Sequence, residues 1–229
     1  MRLAVIPARG GSKRIPRKNI MPFCGKPVIG WSIEAAFESG CFDNVVVSTD
    51  DEEIAEVGRS YGATVPFIRP AELSDDYTGT IAVVAHSIQW YLQQGTRFDE
   101  TCCIYATAPF VRSSDLRQGL DMLKKSGSDY AFSVTSYAFP IQRAIRIIGG
   151  DRVQMMDPVQ FNTRSQDLEE AYHDCGQFYW GRSEAWLSGK PVFSSDAVPV
   201  VLPRYRVQDI DTPEDWIRAE IMFQALWQQ

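Results

Sequence analysis

Metal-binding and redox-active residue types are scarce in this sequence. The 229 residues include only two histidines and five cysteines. No two cysteines form a CxxC pair, and neither histidine stands at a zinc-site spacing from them. The odd number of cysteines, two of them adjacent, also argues against a disulfide framework. We therefore expect a protein of the reducing cytoplasm, without a zinc site.

Long hydrophobic runs and two well-known phosphate-binding motifs are also missing. The first apolar segment, Leu3 to Ile6, runs directly into Pro7, which argues against a signal peptide or a membrane-spanning helix. The sequence contains neither the GxxxxGK[ST] motif of P-loop proteins nor the GxGxxG dinucleotide motif at its start. A net charge of −6 argues against a general nucleic-acid binder. The length and the 45% hydrophobic content suit one α/β domain over residues 1–229.

Acidic residues are absent from Met1 to Ile33, although the whole chain is acidic. The same stretch carries seven cations: Arg2, Arg9, Lys13, Arg14, Arg17, Lys18 and Lys26. Gly10 and Gly11 lie among them, and glycine lets backbone N–H groups approach a ligand closely. A basic, glycine-containing loop after a buried strand is typical of a site for a polyanion. The alternative is an ordinary solvated surface loop.

Strand-like and helix-like patterns alternate over the first 135 residues. The predicted strands are Leu3–Ile6, Asn44–Thr49, Ala63–Ile68, Cys102–Ala106 and Asp129–Thr135. The predicted helices are Pro27–Gly40, Asp50 to about Tyr61, Ile81–Leu92 and Ser113–Lys125. This alternation predicts an α/β fold with a doubly wound, mostly parallel sheet and ligands at the carboxyl ends of its strands.

The regular alternation stops between Pro140 and Tyr172. Residues 144–155 alternate around a Gly-Gly-Asp turn, which predicts a β-hairpin, and a polar stretch follows. We expect residues 140–172 to form an insertion within the domain, serving as a lid or as a dimerisation arm. Further strands are predicted at Cys175–Trp180 and Val198–Leu202, and a final helix after Pro213.

Asp209 and Asp211 are the strongest candidates for metal ligands. If they lie on a strand, residues two apart project to the same side, so both carboxylates would face one point. Mg²⁺ prefers oxygen ligands and commonly takes one or two carboxylates together with substrate phosphates. The alternative is structural, because Thr212-Pro213-Glu214-Asp215 is a good helix start and Asp211 could belong to its cap.

The sequence resembles the acylneuraminate cytidylyltransferases, the CMP-sialic acid synthetase family. The resemblance rests on segments spread in order over almost the whole chain: Ile6–Asn19, Gly25–Pro27, Val47–Asp50, Arg69–Leu73, Arg164–Leu168 and Asp209–Asp215. Tyr105–Phe110 and His173–Trp180 are most similar to the branch acting on pseudaminic acid. Tyr105 stands where the sialic acid branch carries a sugar-contacting Gln, so sialic acid specificity does not transfer directly.

The resemblance implies that CTP activates a nine-carbon acidic sugar, giving a CMP-sugar and pyrophosphate. It also implies a nucleotide-diphospho-sugar transferase-like α/β fold and a homodimer built through residues 140–172. The alternatives are a cytidylyltransferase for sialic, legionaminic or 3-deoxy-octulosonic acid, and a non-catalytic nucleotide-binding protein of the same fold.

Site residues follow from the same resemblance. The positions matched to CTP are Arg9, Gly10, Ser12, Lys18, Asn19, Arg69 and Thr80. Asp209 and Asp211 match the magnesium ligands, and Arg9, Lys18 and Asp211 are expected to carry the catalysis. The expected sugar contacts are Tyr105, Arg164, Gln166, Gln177 and Tyr179. CTP and the acidic sugar are the expected small-molecule partners, with no nucleic acid or membrane involved.

Overall fold

The computed structural model describes residues 1–227 and contains ten strands and six α-helices within them. The strands are β1 (Arg2–Pro7), β2 (Pro22–Phe23), β3 (Lys26–Pro27), β4 (Asn44–Ser48), β5 (Glu100–Ile104), β6 (Tyr130–Ser136), β7 (Ile145–Ile148), β8 (Arg152–Met155), β9 (Tyr172–Arg182) and β10 (Ala197–Val201). The helices are α1 (Val28–Ser39), α2 (Glu52–Ser60), α3 (Thr80–Gln93), α4 (Ser113–Ser126), α5 (Ser183–Leu187) and α6 (Pro213–Trp227).

The central sheet has six strands in the order β10-β6-β9-β5-β1-β4. β1 pairs in parallel with β4 and β5, and β10 pairs in parallel with β6. Only β9 runs antiparallel to its neighbours, β5 and β6. The prediction of a mostly parallel sheet is therefore confirmed. The chain goes from β1 to β4 on one side of β1 and then returns to β5 on the other side. The boundary between β1 and β5 is therefore the topological switch point, where sheets of this kind bind ligands.

Helices cover both faces of the sheet, as the near-continuous apolar strands require. On one face, α1, α2 and α4 bury side chains such as Ile33, Ile54 and Leu116. On the other face, α3 and α5 bury Ile88 and Trp186. The α6 helix contributes to a third cluster, whose buried members are Ile15, Phe23, Val28, Phe110, Ile210, Trp216, Ala219 and Phe223.

The predicted strand Ala63–Ile68 is wrong. Only Thr64 pairs with the sheet, where its N–H donates to the Val45 carbonyl at 2.9 Å and its carbonyl accepts from Val47 N at 3.0 Å. Pro66 follows two residues later and has no N–H to continue the ladder. The chain therefore leaves the edge of β4 after a single bridge.

Residues 140–172 depart from the sheet between β6 and β9, and the predicted hairpin forms as β7 and β8. Its flanking segments contain short 3₁₀ turns. Eleven exposed large hydrophobic side chains lie between residues 137 and 172: Tyr137, Phe139, Ile141, Ile145, Ile147, Ile148, Val153, Met156, Val159, Phe161 and Tyr172. Within the described residues, no helix has the length and apolar character needed to cross a membrane.

Candidate active site

A cleft of about 590 Å³ opens at the carboxyl ends of β1 and β5, at the switch point of the sheet. Pro7 at the end of β1 and Ala106 just after β5 are among the residues that line it. Eight of the residues expected from the sequence line this cleft together: Arg9, Ser12, Lys18, Asn19, Arg69, Thr80, Tyr105 and Asp211. Polar and cationic groups therefore converge where the fold places ligands.

The cationic loop after β1 is held in shape by its own residues. Gly10 N donates to Asp50 Oδ1 at 3.0 Å, and a Cβ on Gly10 would lie 2.6 Å from Asp51 Oδ2. Asn19 is buried and its Nδ2 donates to the Arg9 carbonyl at 2.9 Å. Gly10 thus has a structural reason to be glycine, and it does not line the cleft.

Arg17 connects this loop to α2. Unlike the cations that line the cleft, it binds acidic side chains at the start of that helix. Its guanidinium binds both oxygens of Asp51, which also accepts from Ile54 N as the N-cap of α2, and it reaches Glu53. The hydrogen bond to Asp51 raises the pKa of Arg17, and Arg17 lowers the pKa of the Asp51 carboxyl. Arg17 also adopts a left-handed backbone conformation, with φ of 56°.

The cations that line the cleft are paired with acids. Arg9 Nη1 donates to Asp76 Oδ1 at 2.5 Å, and Lys13 binds the other oxygen of the same carboxylate. Arg14 lies 2.8 Å and Lys18 3.4 Å from Asp211 Oδ1. Hydrogen bonds from Lys13 and Arg9 lower the pKa of Asp76, so this carboxyl is an anion at neutral pH.

Arg69 is nearly buried against the wall of the cleft. It is 4% exposed, and its guanidinium donates to Ser74 Oγ at 3.1 Å and to the Ser48 carbonyl at 3.3 Å. Burial lowers its pKa, and the Asp50 carboxylate opposes this effect from 3.8 Å. Arg69 therefore shapes the wall while its charge is partly balanced.

Asp209 and Asp211 lie in an irregular segment, so the strand geometry that would aim both carboxylates to one side is not present. They are nevertheless close enough to interact. Burial away from water raises the pKa of the Asp209 carboxyl, and the negative charge of Asp211 adds to this rise. The positive charge of Lys18 lowers the same pKa. Asp209 itself is outside the cleft lining, whereas Asp211 contributes to it.

The Asp211 carboxylate takes no part in capping α6. Asp215 Oδ2 accepts from Thr212 N and Thr212 Oγ1 at 2.8 Å and from Asp211 N at 3.2 Å. Asp215 therefore caps α6, and the Asp211 side chain faces Arg14 and Lys18. Among residues 1–227, no group of three or more His, Cys, Asp or Glu side chains is arranged to hold a metal ion.

A second cavity of about 520 Å³ shares Thr80 and Tyr105 with the cleft. Its walls are mainly apolar and include Trp186, Pro191, Val192 and Phe193, with Asp174 and Tyr179 as polar members. The two cavities are thus contiguous and differ in character, one cationic and one apolar.

A row of hydroxyl groups separates the two cavities. Thr80 Oγ1 and Tyr105 OH are 3.0 Å apart, the Tyr105 and Tyr179 rings pack at 5.3 Å, and Tyr179 OH donates to Asp174. Burial raises the pKa of Tyr105 to about 12, and burial also raises the pKa of Tyr179. Both phenols are neutral donors at physiological pH.

Three expected sugar contacts lie elsewhere in the single chain. Gln177 is 2% exposed, and its Nε2 donates to the Arg206 carbonyl at 3.0 Å. Arg164 and Gln166 are exposed on the insertion, where Arg164 pairs with Asp167 at 2.6 Å. None of the three lines either cavity.

Sequence reasoning missed Lys13, Asp76 and Asp174. Lys13 belongs to the cationic loop and was visible as part of it. Asp76 carried no motif signal, because its contacts to Arg9 and Lys13 span 67 and 63 residues. Asp174 lies within the His173–Trp180 segment, and its place in the second cavity became clear only from the structure.

The fold and the cleft define an α/β protein with a doubly wound sheet and a cationic ligand site at its switch point. The chain is similar to a solved CMP:2-keto-3-deoxy-manno-octonic acid synthetase complexed with CTP, with a TM-score of 0.70 over 98% of this chain and 99% of that one. Sequence identity is 16%, so this likeness concerns the fold alone.

Sequence comparison identifies the family. The family model described as cytidylyltransferase matches residues 3–187, and the chain therefore belongs to this family of nucleotidyltransferases. A pseudaminic acid cytidylyltransferase of Campylobacter jejuni is 48% identical, over 97% of this chain and 96% of that protein. A CMP-N,N'-diacetyllegionaminic acid synthase of Legionella pneumophila is 34% identical, over 95% and 94% respectively. The expected cytidylyltransferase class is confirmed.

Proposed function

We propose that this enzyme transfers the cytidylyl group of CTP to pseudaminic acid, giving the CMP-sugar and pyrophosphate. The observation that carries this proposal is the contiguity of a cationic cleft with an apolar cavity across Thr80 and Tyr105. The 48% identity to the Campylobacter jejuni enzyme, over nearly the whole of both chains, favours the same sugar.

The cationic cleft is the proposed CTP site. Arg9, Lys13 and Lys18 lie where a triphosphate can replace their present carboxylate partners. Arginine binds phosphate through a planar fork and lysine as a point charge, so both suit the pyrophosphate leaving group. Ser12, Asn19, Arg69 and Thr80 line the remaining walls and are assigned to the nucleotide.

In the proposed reaction, the anomeric hydroxyl of the sugar attacks the α-phosphorus of CTP, and the bond to pyrophosphate breaks. The protein contributes positioning and charge stabilisation rather than covalent chemistry. Lys18 is fixed for this role, because its Nζ donates to the Ile210 carbonyl at 2.6 Å and is partly buried. Arg9 is half-exposed at the mouth of the cleft.

Asp209 and Asp211 are the proposed magnesium ligands. Burial raises the pKa of the Asp209 carboxyl and the nearby Asp211 charge adds to this rise, so a bound cation would relieve the repulsion between the two carboxylates. Two hard oxygen donors beside a phosphate site fit Mg²⁺, whose other ligands are then phosphate and water oxygens. When bound, Mg²⁺ supplies charge neutralisation of the phosphates and acidification of the attacking hydroxyl.

The apolar cavity is the proposed site of the sugar's substituents. Trp186, Val192 and Phe193 offer apolar surface, while the hydroxyl groups of Tyr105 and Tyr179 offer polar contacts. Mixed surfaces of this kind suit a sugar that carries acyl and methyl groups beside polar ones.

A homodimer and a cytoplasmic location complete the proposal. The exposed apolar side chains of residues 137–172 form a surface that a second copy can cover. Arg164 and Gln166 lie on this surface, so in a dimer they are assigned to the partner's sugar. All five cysteines are free thiols, which suits a reducing compartment that also supplies CTP.

The test is pyrophosphate release from CTP and Mg²⁺ with a panel of pseudaminic, legionaminic, sialic and 3-deoxy-octulosonic acids. We expect the highest kcat/KM with pseudaminic acid. A higher kcat/KM with another acid would replace the assigned sugar while keeping the reaction. Absence of release with every acid would favour the non-catalytic nucleotide-binding alternative.

A further inference from the structure

The loop that carries Asp209 and Asp211 belongs to no strand, so no sheet ladder fixes the two carboxylates. Residues 207–211 run irregularly from the 3₁₀ turn Arg204–Arg206 to α6. Two carboxylates that share Mg²⁺ must keep a defined spacing, because this ion demands near-ideal octahedral geometry at about 2.1 Å. The contacts that hold the loop therefore determine the geometry of the carboxylates.

The downstream half of the loop is anchored from the α6 side. Ile210 is fully buried in the cluster formed with Phe23 and Trp216. Its carbonyl accepts from Lys18 Nζ at 2.6 Å. This anchor lies between the two aspartates and ties them to the cationic loop.

The upstream half is anchored by an ion pair with α4. Arg206 Nη1 lies 2.8 Å from Asp115 Oδ2, and Arg206 Nη2 lies 3.1 Å from Asp115 Oδ1. The two side chains are only 8% and 6% exposed. Burial lowers the pKa of Arg206, but the hydrogen bond and charge of Asp115 outweigh it, and the pKa is raised. A two-pronged pair of this kind fixes orientation as well as distance.

Strand β9 supplies a third contact. The buried Gln177 donates from Nε2 to the Arg206 carbonyl at 3.0 Å, three residues before Asp209. At the neighbouring Gly176, a Cβ would lie 3.3 Å from Asp209 Oδ1. The strand backbone therefore packs directly against the Asp209 side chain.

We propose that Asp115, Arg206 and Gln177 are positioning residues that set the placement of Asp209 and Asp211 for a divalent cation. This inference rests on the magnesium assignment made under the proposed function. The three side chains touch no reacting atom and act through the loop backbone. Residues that orient metal ligands in this way typically change metal affinity by 10- to 100-fold when substituted.

The competing explanation is purely structural. A buried ion pair between α4 and a loop could serve stability alone, in which case its alteration would shift unfolding without a specific effect on the metal. The two explanations differ in whether metal dependence changes more than nucleotide dependence.

The test substitutes Arg206→Lys, which keeps the charge but loses the two-pronged geometry. Its matched control is Arg182→Lys, since Arg182 holds the other end of α4 through the carbonyls of Ser128 and Gly127 at 3.1 and 3.2 Å. We expect the KM for Mg²⁺ to rise about tenfold in Arg206→Lys, with the KM for CTP at saturating Mg²⁺ within about twofold of wild type. The control should match wild type in both.

A binding measurement without catalysis accompanies the kinetics. Titration of the protein with Mn²⁺ alone, followed by the free-ion electron paramagnetic resonance signal, should show an approximately tenfold weaker Kd in Arg206→Lys. Gln177→Met should weaken Mn²⁺ binding in the same direction, and it keeps the test available if Arg206→Lys does not fold.

Two outcomes overturn the inference, and they are distinguishable. If the wild-type reaction does not depend on Mg²⁺ and the protein binds no Mn²⁺, the magnesium assignment is wrong, and this inference fails with it. A metal-dependent wild type, with unchanged Mg²⁺ and Mn²⁺ affinity in the folded variants, overturns the inference alone.

Discussion

Asp76 occupies the mouth of the cleft as an internal competitor for the triphosphate. Its two oxygens are bound by Arg9 and Lys13, and the Asp75 carbonyl also accepts from Arg9 at 3.0 Å. A triphosphate entering the cleft has to replace these contacts. We therefore expect Asp76→Asn to bind CTP more tightly, which is the opposite of the usual effect of a substitution in a binding site.

The expected size of the effect follows from the exposure of the pairs. The side chains of Arg9, Asp76 and Lys13 are 35%, 34% and 79% exposed, so solvent screens both ion pairs. Exposed pairs contribute little, and the loss of two of them should lower the Kd for CTP by about 2- to 5-fold. Because Lys13 and Arg9 lower the pKa of Asp76, the competition should persist over the whole neutral range.

The assay is calorimetric titration with CTP in the absence of the sugar, at two salt concentrations. Glu72→Gln is the matched control, because it removes one negative charge from the same connection between Arg69 and α3, at a residue outside the cleft lining. We expect the gain in Asp76→Asn to shrink at high salt, where screening weakens the pairs. Weaker CTP binding by Asp76→Asn, or an equal gain in Glu72→Gln, would refute the competition.

Further substitutions test the loop, the carboxylates and the packing. Lys18→Ala should lower kcat/KM for CTP by roughly 10²- to 10³-fold, and an unchanged kcat/KM would mean that Lys18 carries only surface charge. Asp211→Ala should abolish Mg²⁺-dependent pyrophosphate release with little change in thermal unfolding, since its side chain is 39% exposed; full activity would remove the metal assignment. Gly10→Ala should destabilise the fold by about 1–3 kcal/mol, because its Cβ would lie 2.6 Å from Asp51 Oδ2, and unchanged denaturant unfolding would contradict that contact. Asp51→Asn keeps a capping side chain on α2 but removes the charge. Arg17 lowers the pKa of Asp51 in the folded state, so the variant should have a lower free energy of unfolding than wild type at pH values above the ordinary Asp pKa of about 3.9. This difference should disappear as the pH falls through the lowered folded pKa. A difference that does not change with pH would contradict the argument.

Much of the fold was predictable because the hydrophobic patterns are strong. The β-branched run at Asn44–Ser48 and the amphipathic pattern of Thr80–Gln93 each form the expected element. The short run at Ala63–Ile68 failed because Pro66 prevents the ladder from continuing, a backbone constraint that outweighs local strand propensity. Periodicity also gave no orientation for β9, since antiparallel pairing with β5 and β6 depends on how the insertion returns the chain.

The site was predictable where a motif carries a chemical requirement. The cationic loop and Asp211 line the same cleft although they are 193 residues apart. The placement of Gln177 beneath Arg206 was not predictable, because it depends on where β9 meets the final loop. The pairing of Arg9 with Asp76, 67 residues away, is likewise a tertiary contact without a local signal.

Transfer of isotope from labelled CTP tests the central claim most directly. The enzyme is incubated with pseudaminic acid, Mg²⁺ and CTP carrying ³²P at either the α or the γ position. Attack at the α-phosphorus predicts that the α label appears in the sugar product and the γ label in pyrophosphate. Release of the γ label as inorganic phosphate, or failure of the α label to reach the sugar, would contradict cytidylyl transfer.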